Sequence, residues 1–145
     1  MKNKILITGT RSGLGEFLSK KYPNPICITR ENPLTDEIIS EGVDTIIHCA
    51  FNQNMSELNL VNYKIYEDNI NLTKKLLKIP HRRFVYISTC QVSELNSKSQ
   101  PTPYIIMKAL NEHIIREQSK NYLILRPSGL VGDDKKRNSL HKLMN

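Results

Sequence analysis

The sequence predicts an α/β fold in which a doubly wound parallel sheet is covered by helices on both faces. Short apolar segments alternate along the chain with longer stretches whose apolar residues recur at helical spacing. The short segments are hydrophobic throughout rather than at every second position, which is typical of strands buried on both faces. Strand and helix alternate in order, and this alternation favours parallel pairing with helical crossovers.

Three strands and two helices are predicted in the first half of the chain. The strands cover residues 4–8, 26–29 and 45–49. Leu14, Phe17 and Leu18 recur at the i, i+3, i+4 spacing of a helix that ends at a Pro-Asn-Pro segment. Thr35 is suited to cap a second helix, whose first turn carries two acids and which ends at Gly42.

Two longer helices and two further strands are predicted in the second half of the chain. The strands cover residues 84–88 and 122–125, and the helices cover residues 62–79 and 104–119. One side of the first helix carries Tyr66, Ile70, Thr73 and Leu77. The apolar residues of the second helix are Ile106, Met107, Leu110, Ile114 and Ile115.

The length and the charge narrow the functional classes. The 145 residues have the length of one domain and carry 21 basic and 14 acidic side chains, a net charge of +7. Residues 31–69 nevertheless carry a net charge of −7, and the basic residues elsewhere lack the interleaved aromatics that single-strand binding requires. The charge therefore favours an anionic small-molecule ligand, with nucleic-acid binding as a lesser alternative.

Cysteine and histidine usage predicts neither a disulfide framework nor a metal site. Cys27, Cys49 and Cys90 are odd in number and show no CxxC spacing, which fits a reducing cytoplasm. The four histidines are scattered, and His48 is expected to be a hydrogen-bonded residue of the core. No apolar run approaches the roughly 18 residues that span a bilayer, so no membrane partner is expected.

A glycine-rich segment lies between the first predicted strand and the first predicted helix. Its sequence is Thr8-Gly9-Thr10-Arg11-Ser12-Gly13-Leu14-Gly15. Glycines at this place permit a tight turn and let backbone N–H groups approach a pyrophosphate, while the helix N-terminus adds partial positive charge. This context predicts that the segment binds a dinucleotide.

The end of the second strand bears on the choice of dinucleotide. Arg30 stands close to where an acid usually binds the adenosine ribose of NAD. An arginine there can pair with a 2′-phosphate, and Arg11 could join it. Glu31 follows immediately, so the sequence favours NADP as the cofactor and leaves NAD open.

A tyrosine and a lysine on the last predicted helix indicate acid–base chemistry. Tyr104 and Lys108 are four residues apart and so lie on one helix face. A nearby ammonium stabilises a phenolate, which lowers the pKa of the tyrosine toward the range of a general acid or base. Ser88 and Thr89 end the preceding strand, where a hydroxyl can bind the reacting oxygen, and ligands of open α/β sheets bind at such strand ends.

Five motifs succeed one another along the chain. They are Thr8-Gly9-x-x-x-Gly13-x-Gly15, Asp44-Thr45-Ile46-Ile47-His48-Cys49-Ala50, Phe84-Val85-Tyr86-Ile87-Ser88-Thr89, Tyr104-x-x-x-Lys108 and Leu125-Arg126-Pro127-x-x-x-Val131-Gly132. In this order they resemble the short-chain dehydrogenase/reductase superfamily, and most closely its extended, NAD(P)-dependent epimerase/dehydratase branch, which modifies sugar nucleotides. The resemblance covers essentially the whole chain.

This resemblance implies a Rossmann-like domain over residues 1–145 that binds NAD(P). Residues 31–43 leave room for one crossover helix, where the family usually fits a further strand and helix. About five strands in the order 2-1-3-4-5 are therefore expected. In the family, later residues build the sugar-nucleotide pocket, so this C-terminal substrate region is expected to be largely absent.

The resemblance also implies roles for individual residues. Thr89 takes the place of the catalytic serine or threonine, Tyr104 is the acid/base, and Lys108 binds the nicotinamide ribose and tunes Tyr104. The implied cofactor-binding residues are Gly9, Arg11, Ser12, Gly13, Leu14, Gly15, Arg30, Ala50, Lys108 and Pro127. Asn69 matches an asparagine of the family's pattern, with a structural and a functional role both open.

The predicted function is that of an NAD(P)-dependent oxidoreductase, epimerase or dehydratase acting on a nucleotide-linked sugar. Tyr104 would transfer the proton, Lys108 would stabilise its phenolate, and Thr89 would orient the oxygen of the substrate. The alternative is an NAD(P)-binding module without independent catalysis, because the substrate region is missing. The sequence leaves the formation of a homodimer open.

Overall fold

Five parallel strands form one sheet in the computed structural model, which describes residues 3–52, 63–97 and 100–129. The strands are β1 (Ile5–Thr8), β2 (Ile26–Ile28), β3 (Val43–His48), β4 (His81–Ile87) and β5 (Tyr122–Leu125). Their order is β2-β1-β3-β4-β5, which confirms the predicted sheet. In the register of β1, Leu6 lies opposite Ile26 of β2 on one side and Ile46 of β3 on the other.

The helices lie between the strands as predicted. They are α1 (Gly13–Lys21), α2 (Asp36–Glu41), α3 (Tyr63–Tyr66), α4 (Leu72–Leu77) and α5 (Pro103–Gln118). A π-helical turn (Glu67–Asn71) joins α3 to α4, so the single helix predicted over residues 62–79 contains a π-bulge. A 3-10 helix (Cys90–Glu94) occupies part of the predicted polar loop after β4.

The start and the end of α2 confirm the capping signals in the sequence. The Thr35 hydroxyl accepts a hydrogen bond from the backbone N–H of Ile38 (3.3 Å). Gly42 follows the helix with a φ of +74°, and a Cβ at this position would lie 2.6 Å from the carbonyl oxygen of Pro80. A residue with a side chain would be strained there, so the glycine fixes the point at which the chain enters β3.

Helices cover both faces of the sheet. On one face, α2, α4 and α5 share a core that includes Leu6, Ile46, Phe84, Tyr86, Leu76 and Ile115. Successive side chains of a strand point to opposite faces, so Ile7 and Ile47 lie on the other face, where α1 packs beside β1. This arrangement confirms the doubly wound architecture.

Two features of the packing differ from the expectation that apolar residues are buried and polar residues are exposed. The edge strand β5 is less covered than the centre, since Leu123 and Leu125 are 48% and 42% exposed. On α5, Ile106 and Leu110 are also exposed, although both belong to the apolar residues of the predicted helix. Lys108, Asn111 and Glu112 are buried on α5 instead. Lys108 donates to the carbonyl of Ile87 at the end of β4, and Glu112 binds Ser88 and Arg126, which follow β4 and β5.

Neither a membrane-spanning helix nor a metal cluster is found in the described part of the chain. None of the helices in residues 3–52, 63–97 and 100–129 is long and apolar enough to cross a membrane. Within the same ranges, no three His, Cys, Asp or Glu side chains are grouped to hold a metal ion. Cys27, Cys49 and Cys90 are free thiols.

Candidate cofactor and active site

A cleft of about 520 Å³ opens at the carboxyl ends of β1, β2 and β3. Gly9, Arg11 and Ser12 line it from the β1–α1 loop, and Arg30 and Ala50 line it from the ends of β2 and β3. The direction in which strands are added to the sheet reverses between β1 and β3. Ligands of open α/β sheets bind at such a reversal, so the cleft lies where the fold places a binding site.

The glycine loop of this cleft has the geometry of a phosphate cradle. Gly9 and Gly13 have φ values of +76° and +56°, which side chains disfavour. A Cβ on Gly9 would lie 2.8 Å from the backbone nitrogen of Ala50, and one on Gly15 would overlap the carbonyl oxygen of Gly9. Ser12 makes no side-chain cap of α1. The residues present therefore fit the pyrophosphate of a dinucleotide, because backbone N–H groups are close to the cleft and the glycines add no side chain to the cradle.

Both arginines predicted to contact a 2′-phosphate hold carboxylates at the rim of the cleft. Arg11 pairs with Glu31 (Nη1 to Oε1, 2.6 Å) and Arg30 pairs with Asp68 (Nη2 to Oδ2, 3.0 Å). The Asp68 carboxylate also accepts a hydrogen bond from the Asn52 side-chain amide (2.8 Å). A phosphate that binds either arginine therefore competes with an existing ion pair.

A neutral hydrogen-bonded chain lies under the cleft, centred on His48. The ring nitrogens contact the hydroxyls of Thr8 (Nδ1, 2.7 Å) and Thr73 (Nε2, 2.9 Å). Thr73 donates to the carbonyl of Asn69, and Thr8 accepts from the N–H of Ala50. These partners assign the proton to Nε2, with Nδ1 as acceptor. Burial, aided by the charge of Lys108, lowers the pKa of His48 to about 3, which confirms it as a core residue.

Asn69 holds the chain that follows β3. Its side-chain oxygen accepts from the backbone N–H of Asn52 (2.6 Å), and its amide donates to the carbonyl of the same residue (3.1 Å). The Asn69 carbonyl accepts from Thr73 and from Asn111. Two backbone groups of one residue are thereby satisfied by one buried side chain, and these contacts give Asn69 a structural role beside the cleft.

Lys108 is buried next to the cleft in an aromatic surrounding. Its ammonium donates to the carbonyl oxygen of Ile87 (2.8 Å) and lies 4.4 Å from the ring centroid of Phe51. The rings of Tyr86 and Tyr104 lie farther away, at 5.1 and 5.9 Å. Burial lowers the pKa of Lys108 to about 8, because the charged form loses hydration.

Tyr104 and Thr89 lie together at the end of β4. The Tyr104 ring is half-buried and contacts Phe51 edge to face, with centroids 5.2 Å apart. Burial raises the pKa of Tyr104, and a hydrogen bond with the Thr89 side chain opposes this effect. The direction is opposite to the lowering expected from Lys108, because in this structure the ammonium is directed to Ile87 and Phe51 rather than to the phenol.

A charged network that sequence patterns did not reveal fixes the ends of β4 and β5. Glu112 is fully buried and pairs with Arg126 through two hydrogen bonds (2.6 and 2.9 Å) and with Arg116 (3.0 Å). Ser88 donates its hydroxyl to the same carboxylate. Burial alone would raise the pKa of Glu112, but the hydrogen bonds from Arg126, Ser88 and Arg116 hold it below its usual value. Because the Ser88 hydroxyl is engaged, Thr89 is the better placed of the two to contact a ligand.

The structure therefore brings the predicted residues to one edge of the sheet. Thr89, Tyr104 and Lys108 form one cluster, and the glycine loop, Arg30 and Ala50 form the neighbouring cleft. The carbonyl of Pro127 accepts from the N–H of Cys90 (3.2 Å), beside this cluster. Val131-Gly132, the end of the last motif, lies outside the described residues.

Three further residues belong to the site and were missed by sequence reasoning. Phe51 lines the cleft and contacts both Tyr104 and Lys108, and its position just after the predicted third strand could have indicated it. Asp68 and Glu112 find their main partners on other elements of the fold. The spacing of residues along the sequence does not predict such pairs, because the partners are far apart in the chain.

A parallel sheet of this order, a glycine loop after β1 and a tyrosine–lysine pair beside β4 define an α/β fold of the short-chain dehydrogenase/reductase type. Comparison with protein families assigns the chain to one family with this type of fold. The chain belongs to the NAD dependent epimerase/dehydratase family, whose model matches residues 24–145. This finding confirms the resemblance inferred from the five motifs. Among proteins whose function has been curated, none matches the chain.

Solved structures share this fold at low sequence identity. The dTDP-4-dehydrorhamnose reductase of Yersinia enterocolitica is 22% identical, with a TM-score of 0.73 over 99% of this chain and 59% of its own. The Bacillus anthracis enzyme of the same name, in complex with NADP, is 21% identical. Its TM-score is 0.66, and the match covers 87% of this chain and 53% of the reductase. UDP-glucuronic acid 4-epimerase of Bacillus cereus, in complex with UDP-glucuronic acid and NAD, is 21% identical. Its TM-score is 0.63, and the match covers 85% of this chain and 55% of the epimerase. The chain thus spans little more than half the length of these proteins.

Proposed function

We propose that the chain binds NADP or NAD in the cleft between β1 and β3 and that it forms the cofactor-binding part of an enzyme that modifies a nucleotide-linked sugar. The observation that carries this proposal is the meeting of two features at one sheet edge. The glycines add no side chain to the loop, and the cluster of Thr89, Tyr104 and Lys108 lies beside it. Phe51 lines the same cleft as the glycine loop and contacts Tyr104 and Lys108.

The backbone of the glycine loop would hold the pyrophosphate. Gly9, Gly13 and Gly15 cannot carry side chains without strain or overlap, and the N-terminus of α1 would contribute its partial positive charge. Ala50 would face the adenosine side, and Lys108 would reach the nicotinamide ribose. When bound, the nicotinamide supplies hydride-transfer chemistry, which no amino-acid side chain provides.

Tyr104 would carry the proton in this chemistry. Its hydroxyl lies within reach of Thr89, which can orient a substrate oxygen. Burial raises the pKa of Tyr104 in this structure, so the phenol is protonated at neutral pH and suited to donate. Lys108, whose pKa is about 8, is available as a cation at neutral pH to stabilise the phenolate once the proton has left.

Cofactor binding is tested by fluorescence titration of the chain with NADPH and with NADH. The chain has no tryptophan, so the nicotinamide signal is measured against a clean background. We expect saturable binding of at least one of the two. The absence of binding of both at millimolar concentration would contradict the proposal.

Catalysis is tested with Tyr104→Phe in the presence of dTDP- and UDP-linked sugars. We expect turnover to fall by at least about 100-fold, because a general acid contributes on the order of 10²–10⁴ to the rate, while the Kd of the cofactor stays nearly unchanged. Tyr122→Phe is the matched control, since it removes the same hydroxyl from an exposed tyrosine of β5. Unchanged turnover in Tyr104→Phe would rule out the proposed role.

The second candidate is a module that binds NAD(P) without catalysing a reaction alone. The observation that favours it is the coverage of 53–59% of the reductases and the epimerase compared above. In this case residues 1–145 would act as a dinucleotide-binding domain whose substrate pocket is supplied elsewhere. Cofactor binding without turnover on any of the tested sugars would favour this candidate.

A further inference from the structure

Asp68 and Arg30 face each other across the mouth of the cofactor cleft. The Oδ2 oxygen of Asp68 accepts two hydrogen bonds, from Arg30 (3.0 Å) and from the Asn52 side-chain amide (2.8 Å). Asp68 lies in the π-helical turn with its side chain 26% exposed, whereas the side chain of Arg30 is 69% exposed. The acid is therefore the restrained partner of the pair, and the guanidinium is the partner that can turn toward a ligand.

A 2′-phosphate on the adenosine ribose would compete with Asp68 for this guanidinium. Arginine binds phosphates and carboxylates through the same planar fork of N–H donors. A phosphate at Arg30 would also approach the like charge of Asp68. NAD has a free 2′-hydroxyl at this place and does not compete with Asp68 for Arg30. The hydroxyl can instead donate a hydrogen bond to a carboxylate.

We propose that Asp68 is a specificity-determining residue, which limits the preference for NADP over NAD by holding Arg30. This inference rests on the proposed function, because it requires that a nicotinamide dinucleotide enters the cleft. The Arg11–Glu31 pair at the same rim has less influence, since both side chains are about two-thirds exposed (68% and 65%) and water screens them.

A double-mutant cycle on Arg30 and Asp68 tests the inference. The Kd values of NADPH and NADH are measured by fluorescence for the wild type, Asp68→Asn, Arg30→Ala and the double variant. Asparagine keeps one oxygen that can accept from Asn52, removes the charge and replaces the second oxygen by an N–H donor. We expect Asp68→Asn to tighten NADPH binding about tenfold and to change NADH binding by less than about twofold, as the loss of one nearby like charge and one competitor predicts.

Asp44→Asn is the matched control. Asp44 also pairs with an arginine, Arg82 (2.7 Å), but it lies at the amino end of β3, away from the cleft. The NADPH-to-NADH affinity ratio should be unchanged in this variant. An equal change in both aspartate variants would overturn the inference, because the total charge rather than the Arg30 pair would then set the ratio.

The Arg30→Ala background separates competition from simple repulsion. Without the guanidinium only the loss of the like charge remains, so Asp68→Asn should tighten NADPH binding clearly less than in the wild type, and this smaller effect would support the inference. Equal tightening with and without Arg30 would overturn it, as would an unchanged affinity ratio in Asp68→Asn. If neither nucleotide binds the wild type, the proposed function itself fails, and the inference fails with it.

Discussion

Two buried polar networks hold the strand ends of this sheet, and they use different chemistry. Under the cleft at the glycine loop, His48 joins the hydroxyls of Thr8 and Thr73. This network is neutral at physiological pH, because burial lowers the pKa of His48 to about 3. Beside the cluster of Thr89, Tyr104 and Lys108, the buried Glu112 carboxylate is ionised and bound by two arginines and Ser88.

The difference in charge between the two networks follows from how each network is packed and how far it reaches solvent. The His48 network lies in the centre of the sheet, where β1 and β3 are covered on both faces and a charge would have no access to water. The Glu112 network lies toward β5, and its arginines reach solvent, with 42% and 36% of their side chains exposed. A buried carboxylate stays ionised only with such partners. We therefore expect the first network to depend on hydroxyl geometry and the second on its arginines.

The largest expected effect is the loss of the stronger arginine contact. Arg126→Met keeps an apolar stem but leaves Glu112 with Arg116 and Ser88 alone. Breaking a buried ion pair by removal of one partner costs roughly 3–5 kcal/mol, and because Arg126 is one-third exposed we expect about 2 kcal/mol here. The free energy of unfolding in urea measures this change.

Arg82→Met is the control for this substitution. Arg82 also makes a two-point contact with a carboxylate, that of Asp44, but the arginine is exposed. Its loss should cost clearly less than the loss of Arg126. Equal costs in the two variants would show that the buried carboxylate does not distinguish the two pairs.

The next effect is a pH dependence that separates the two networks. The pKa of His48 is about 3 in the folded chain and 6.5 ordinarily, so between these values the unfolded chain binds more protons. The free energy of unfolding should therefore fall as the pH drops below 6.5, by at most about 1.4 kcal/mol per pH unit. Glu112 adds its own loss only when the pH falls below about 4.5, because its pKa is held below that ordinary value.

Denaturant unfolding between pH 7 and pH 5 measures this dependence. His48→Gln should flatten the slope in this range, and Glu112→Gln should leave the slope as it is while lowering the stability throughout. A slope that is the same in His48→Gln and in the wild type would contradict the assignment of His48 as a neutral group of the folded chain.

The smallest effect concerns one hydroxyl of the neutral network. Thr73→Val removes the group that accepts from His48 and donates to Asn69, which leaves a buried N–H without an acceptor. We expect a loss of about 1–2 kcal/mol in the free energy of unfolding. Thr45→Val removes a hydroxyl that donates a hydrogen bond to the partly exposed Asp44. The loss in the free energy of unfolding should stay within about 0.5 kcal/mol. Equal losses would show that the His48 contact adds nothing.

Most of the fold could be predicted from the sequence because its signals are local. Apolar segments gave all five strands, with β5 at the observed bounds, and Thr35 and Gly42 marked the ends of α2. The π-bulge within residues 63–77 was not predicted, because it results from backbone hydrogen bonding rather than from the period of the side chains. The buried face of α5 was also read incompletely, since apolar periodicity does not identify Lys108 and Glu112 as inward-facing.

The candidate site was predictable where its residues stand in motifs. The glycine loop and the Tyr104–Lys108 pair have fixed spacing along the chain. Asp68 and Glu112 do not, because they meet their partners only after β2, β4 and β5 have assembled. The pKa direction of Tyr104 depends likewise on burial, which the sequence does not display.

The central claim is that a nicotinamide dinucleotide binds at the glycine loop between β1 and β3. Amide hydrogen exchange with and without NADPH tests it most directly. We predict slower exchange on addition of NADPH in residues 9–16 and 50–52, and little change in β4. Unchanged exchange in the glycine loop would contradict the account. So would protection confined to residues 74–83, a segment that carries five lysines and arginines.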